Sequence, residues 1–375
     1  MFNVRRAALI TPKNFAMSHK LRTFAAMKTE KRRMPAEWEP QRGVQLTWPH
    51  ARTDWASILP DITAVYERIA REIARRERLF IVAPEGTPLP AGCERSLTAD
   101  TNDTWARDHG FITVVDESAH TTTQQSRTST RLLDFRFNGW GEKFPAELDN
   151  QINRKLYDSG VVKGVYEPHL DFVLEGGSIE SDGQGTILTT ERCLMAPHRN
   201  QPLTKQEIEE RLKEYLGAER VVWLRHGSLL GDDTDGHIDT LARLCPNDTI
   251  LYTDGDDSQP DLYEMEQELR ELRTLDGRPY RLLKLPLPRP IYDDGRAQSG
   301  APSESSDRLP ATYANYLVIN GAVLVPTYGQ PDLDAEATRV ISEAYPDRET
   351  VGIDCLPVIR QHGSLHCCTM QYYET

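Results

Sequence analysis

The stretch GDDTDGHIDT, Gly231 to Thr240, puts four aspartates and a histidine into ten residues. Such a cluster can be a calcium loop, an acid/base device or a solvated turn. Register excludes calcium: the run of Asp233, Asp235 and Gly236 puts Gly231 at loop position one and Ala242 at position twelve, and neither carries a carboxylate. Zinc needs histidine or cysteine partners at a familiar spacing such as H-E-x-x-H, and the chain has no such pattern. What remains is His237-Ile238-Asp239. On a strand, residues two apart share a face, so ring and carboxylate would stand together as a proton shuttle beside an anionic clamp. An H-x-D taken alone reads more readily as a turn with a capping aspartate and an exposed histidine.

Three other segments add chemistry. NDTWARDHG (102–110) sets Asp103, Arg107 and Asp108 beside Trp105. LEGGSIESDG (174–183) follows Glu175 with two glycines, which let a backbone approach a ligand. QHGSLHCCTMQ (361–371) carries His366 and the neighbouring thiols Cys367 and Cys368. Each alone is an acidic turn, a tight turn or a pair of buried cysteines. Together they supply a thiol, a histidine and several carboxylates among aromatic residues. Alternation along a strand sends Cys367 and Cys368 to opposite faces, so one of the two should enter a site.

Clear elements surround these segments. Ile58, Ile62, Val65, Ile69 and Ile73 recur at helical spacing. TKQEIEERLKEYLGA predicts a helix capped by Thr204 and stopped at Gly217. LYEMEQELRELRTLDG and DAEATRVISEAYP predict two more. LFIVAPEG, GFITVVDES and AERVVWLRHG read as strands, ANYLVINGAVLVPTYGQ as a hairpin turning at Asn320-Gly321, and HGSLHCCTMQYYE as a closing strand. HTTTQQSRTST is a polar loop or hairpin tip, and 293–312 a long surface loop or lid. The pattern is α/β with antiparallel pairs, and no exact internal repeat is visible.

With 375 residues, 38% of them hydrophobic, the chain is long enough for a large core, and no apolar run reaches transmembrane length. A net charge of −13 argues against nucleic acid as a partner. Residues 1–33 carry +8, leaving −21 for the rest. This leader reads as an organellar transit peptide or, preferably, as an extension ahead of a start at Met27 or Met34, outside the fold either way. Six cysteines without a C-x-x-C pair fit a reducing, cytoplasmic home.

The chemistry-bearing segments, with MPAEWEPQRGVQLTWPH and LDFRFNGWGEKFPAELDN, resemble the agmatine deiminase family, which includes the Porphyromonas-type peptidyl-arginine deiminases. The likeness runs from about Met34 to Thr375, with its motifs in the family's order. It implies one catalytic domain over 34–375 with the fold of the guanidine-modifying superfamily, a five-bladed α/β propeller (pentein) with its site in a central channel. It implies no cofactor and no metal, and a small guanidinium compound, agmatine, as partner, with neither nucleic acid nor membrane; self-association stays open. Carried over by motif, Cys367 is the nucleophile, His237 the acid/base and Glu175 its orienting partner. Asp108 and Asp239 are the guanidinium carboxylates, and Trp105 and Trp140 wall the channel. Asp232 and Asp233 are candidates for the substrate's amine, with a solvated turn as the equal alternative. One departure stands out: His362-Gly363-Ser364-Leu365 replaces the family's glycines before His-Cys, which bears on the substrate's tail. Peptidyl-arginine deimination, amidino transfer and a catalytically silent binder on the same scaffold are the rival readings.

Overall fold

The computed structural model describes residues 30–118, 128–293 and 308–373. The fold is mixed α/β, built on five small sheets. One joins Thr369–Tyr373, Gln41–Thr47, Arg78–Ala83 and Arg95–Thr98; another joins Glu30–Arg33, Ile112–Ser118, Thr128–Arg136 and Val165–Val173. Three further sheets follow in chain order: Ile179–Ser181 with Thr186–Thr190 and Arg220–Leu224; Ala242–Cys245 with Thr249–Thr253 and Arg281–Leu285; Leu317–Ile319 with Ala322–Thr327 and Glu349–Asp354.

One pairing scheme recurs in all five. A middle strand pairs antiparallel with the strand before it and parallel with the strand after it. A parallel neighbour cannot be reached by a tight turn, so each unit needs a crossover, and each has a helix there. The crossovers are Leu59–Ala74, Ile152–Asp158, Lys205–Leu216, Pro260–Glu271 and Pro331–Ala344. The repeat invisible to the eye in sequence is therefore a repeat of pairing order, carried by different residues each time. Thr369–Tyr373, at the far end of the chain, supplies the first strand to the sheet of Gln41–Thr47.

Local signals explain the elements. Thr204 accepts the Glu207 amide while the Glu207 carboxylate accepts the Thr204 amide, a capping box, and Gly217 closes that helix at φ 69°. Ile62, Ile69 and Ile73 of the first crossover helix are buried in one apolar cluster with Val44, Leu46 and Ile81 of its sheet. No helix among the described residues is long and apolar enough to cross a membrane.

The charge pattern sets residues 1–33 outside the fold, and the structure corrects the end of that range. Glu30–Arg33 is a strand, antiparallel to Ile112–Ser118. Its basic residues are used in pairs: Arg32 meets Glu167 at 2.9 Å, and Arg33 meets Glu39 at 2.6 Å and Glu117 at 2.8 Å. The basic run finds its acids partly across the sheet, at Glu117 and Glu167, and partly in the turn that follows, at Glu39. Residues 1–29, most of the polar loop after Glu117, and 294–307 of the expected lid lie outside the described residues.

Candidate active site

Ahead of the first strand of each repeat, by two to four positions, stands a buried polar residue of the site: Asp108 before Ile112, Glu175 before Ile179, Asp239 before Ala242, Asn315 before Leu317 and Cys367 before Thr369; His237 stands five before Ala242. The strands themselves carry none of them. His237 and Asp239 were expected on a strand; they instead lead into and occupy a single 3-10 turn, Ile238–Thr240. Cys367 and Cys368 likewise fall in the turn before Thr369–Tyr373. The thiols still part company. Cys367 lines a cavity of about 240 Å³ with Asp108, Trp105, Trp140 and Asp233, whereas Cys368 donates to the Ser364 carbonyl at 3.4 Å.

Glycine permits the gathering. A Cβ on Gly177 would stand 2.6 Å from His237 Nδ1, 3.0 Å from Asp108 Oδ1 and 3.1 Å from Asp239 Oδ2. Three functional groups therefore occupy space that any side chain at this position would fill. A Cβ on Gly363 would likewise meet the Trp105 ring at 2.3 Å, so the unusual loop before His366 still keeps a glycine where the indole lies.

The two candidate clamp carboxylates are held differently. Asp108 Oδ1 accepts the Gly177 amide and Oδ2 the Trp140 indole N–H, both at 3.0 Å. Trp140 sits at φ 56°, a left-handed conformation uncommon for a bulky residue, and its indole is spent on Asp108. Asp239 Oδ2 accepts from His366 Nδ1 at 2.7 Å, and its buried Oδ1 has no hydrogen-bond partner among the described residues. Burial pushes Asp108 up to about 6. Burial works the same way on Asp239, but the His366 hydrogen bond and the charges of His366, His237 and Arg243 together outweigh it and hold that carboxyl below the ordinary range. Cys367 Sγ lies 3.9 Å from Asp239 Oδ2 and 3.4 Å from Asn315 Oδ1. Burial, then Asp239 and Asp108, raise its thiol well above the usual value. Burial disfavours charge on His237 too, yet Asp108, 3.7 Å away, Cys193 and Asp239 together raise the ring well above the usual imidazole value.

Glu175 departs from the expected arrangement. Its Oε1 accepts from Arg199 Nε at 2.7 Å, and no hydrogen bond joins it to His237. Glu175 Oε2 and both His237 ring nitrogens are without partners among the described residues. Arg199 was not read from the sequence; it also binds Asp235 at 2.8 Å and the Thr234 carbonyl at 3.0 Å, tying Glu175 to the loop of His237. Asp232 is likewise engaged: it accepts Thr234 N, Thr234 Oγ1 and Gly236 N, which makes it the organiser of that loop. Asp233 keeps its place on the cavity, where burial raises its carboxyl.

Among the described residues one group has ligand atoms close enough to hold a metal, Glu175, Cys193 and His237, all within 4.8 Å of one another. The Arg199 guanidinium on Glu175 sets a permanent positive charge beside the place a cation would take. A larger hollow of about 680 Å³, between Trp48, His50, Glu67 and Asp100, contains no thiol.

The profile of the Porphyromonas-type peptidyl-arginine deiminases matches residues 33–372. The chain belongs to that family. It is 33% identical over 361 residues to an agmatine deiminase of Pseudomonas aeruginosa, covering 90% of this chain and 95% of that one. Among solved structures, one from Porphyromonas gingivalis, named provisionally as an arginine deiminase, is 50% identical with a TM-score of 0.79, covering 92% of this chain and 99% of that one. The Campylobacter jejuni agmatine deiminase with substrate bound is 33% identical with a TM-score of 0.78, covering 92% and 96%.

Proposed function

We propose that this chain is an agmatine deiminase, converting agmatine and water to N-carbamoylputrescine and ammonia. One observation carries the choice of substrate. Four aspartates line the cavity, Asp54, Asp103, Asp108 and Asp233, and no lysine or arginine is among its lining residues. Cys367 and Asp108 are buried, while Asp54 is exposed and Asp103 and Asp233 half-buried, so the acids beyond the reacting end face solvent. Agmatine carries a cation at each end, and such a cavity favours both. Free arginine would bring a carboxylate against three acids, and a peptide arginine has no second cation to meet them.

Asp108 and Asp239 flank the planar guanidinium and fix it with its central carbon facing Cys367. In the empty site Cys367 is a thiol and His237 an imidazolium. The arriving cation offsets the two aspartates, the thiol releases its proton to solvent, and sulfur attacks the carbon. His237 protonates the departing nitrogen, ammonia leaves and a thiouronium remains. His237 then takes a proton from water, which attacks, releasing the ureido product and the thiolate. Glu175, within reach of His237, supports its charged form through the Arg199-anchored loop. Trp105 and Trp140 wall the channel. The five sheets are the blades of a propeller in a single domain, and the turns entering their first strands converge on its axis. The chain works in the cytoplasm.

The test is ammonia and ureido-product formation with agmatine, free arginine and a peptide arginine supplied separately. Agmatine should exceed free arginine in kcat/KM by about a hundredfold or more, the scale of a like-charge penalty. Turnover of the peptide with none of agmatine overturns the assignment.

A further inference from the structure

His366 takes no part in the chemistry above, yet it is 2% exposed and fully engaged. Its backbone is pinned: the amide donates to Asn315 Oδ1 at 2.9 Å, and the carbonyl accepts the Thr369 amide at 3.0 Å and hydroxyl at 2.9 Å. Its ring meets three side chains from separate parts of the chain. Nδ1 faces Asp239 at 2.7 Å, and Nε2 faces Glu37 Oε2 at 2.9 Å and Arg243 Nη2 at 3.1 Å; Arg107 approaches the carbonyl at 3.5 Å. Arg243 is itself immobilised, bonded to Glu37, Glu180 and the Ala314 and Tyr316 carbonyls.

We propose that His366 is a positioning residue: its Nδ1–H holds Asp239 Oδ2 and leaves Oδ1 open for the guanidinium, while Arg243 fixes the ring tautomer that makes this possible. The argument is one of donors and acceptors. An ionised Asp239 can only accept, so Nδ1 must carry hydrogen. On the far side Arg243 can only donate, so in a neutral ring Nε2 is the acceptor, the tautomer Asp239 needs. If the ring is charged instead, Nε2 turns to Glu37 and Nδ1 still donates. Asp239 is served in both states. Burial, Arg107 and Arg243 favour the neutral ring, against Glu37 and Asp239. The open Oδ1, buried and without a partner among the described residues, is the acceptor a bound guanidinium would complete.

The proposal rests on the deiminase reading, so its test uses binding to a Cys367→Ser protein, titrated with agmatine and, separately, with methylguanidinium, which needs the clamp and not the tail. His366→Leu should weaken methylguanidinium binding by about tenfold or more, the scale of one hydrogen bond to a charged group. His366→Asn, whose amide reaches the Nδ1 position, should bind within about threefold of the parent. His366→Gln reaches Nε2 instead, preserves the Arg243 side, and should lose as much as leucine; it carries the decision if the leucine protein does not fold. The acid limb of binding should move to higher pH with Leu and Gln, because Asp239 loses the donor that keeps it ionised, and stay in place with Asn. Gln binding like the parent, or Asn and Gln losing equally with no movement of the limb, overturns the proposal. Methylguanidinium binding without agmatine binding overturns the substrate assignment alone and leaves the His366 comparison readable.

Discussion

Asp108 and Asp239 are the same side chain in the same buried centre, shifted in opposite directions. Asp108 takes its hydrogen bonds from two neutral donors, an indole and a backbone amide, and burial carries it to about 6. Asp239 leans on an imidazole backed by a guanidinium and stays below the ordinary carboxylate range. Burial raises both; at Asp108 the His237 charge and the Trp140 donor fall short of it, with Asp239 and Glu175 adding to the rise, whereas at Asp239 the His366 bond and the charges of His366, His237 and Arg243 together exceed it. The difference divides the labour of the clamp. Asp239 is a permanent anion beside the nucleophile, and Asp108 completes its ionisation near the working pH.

The comparison presupposes a reacting sulfur between the two, and removing it should give the largest effect. Cys367→Ser should lose turnover by at least about ten thousandfold while agmatine still binds, and Cys368→Ser should stay within a few fold, measured by ammonia release and calorimetry. The reverse outcome would put the nucleophile on the wrong thiol. Next come the halves themselves. Asp239→Asn and Asp108→Asn should each cost about a hundredfold or more in kcat/KM, since each leaves a guanidinium edge without its anion. Both should also make the free thiol more acidic, because both carboxylates raise it, with the larger shift from Asp239. Iodoacetamide labelling of Cys367 against pH reads this directly. Turnover falls while thiol reactivity in the empty protein rises; an equal or reversed order of the two shifts would break the asymmetry.

Legibility in sequence follows distance along the chain. His237, Asp239, Asp108 and Cys367 were readable because each sits in a short run whose composition is unusual, and the same runs carry the family likeness. Their supports were not. Arg199 meets Glu175 from 24 residues away, His366 meets Asp239 from 127, and Glu37 meets His366 from 329. Nothing local marks those partners, although His366 was visible beside its cysteine without a task. The strand expected at His-Ile-Asp was a period misread: two residues on one face fit a strand, but a tight turn brought them together just as well. Helices with caps were legible, and the fivefold scheme was not, because strand pairing is a relation between segments. Arg32 and Arg33 were placed in an extension outside the fold because two of their acids, Glu117 and Glu167, arrive from strands far along the chain.

The smallest effect probes Asp108 alone. Asp108 is protonated as pH falls through about 6, so kcat/KM for agmatine should fall with it while Asp239 remains ionised. Asp103 on the same cavity, lifted by burial to about 7, loses its charge slightly earlier, so an acid limb by itself names neither group. Trp140→Phe separates them. It keeps the aromatic wall and deletes one N–H donor to Asp108, and that donor opposes the burial that raises this carboxyl. The lower part of the limb should therefore move to higher pH, with a loss of only a few fold at pH 8, where Asp108 is ionised in both proteins. A uniform loss across all pH values would mean that Trp140 acts as wall alone, and the state of Asp108 would then have to come from its burial and its Gly177 bond.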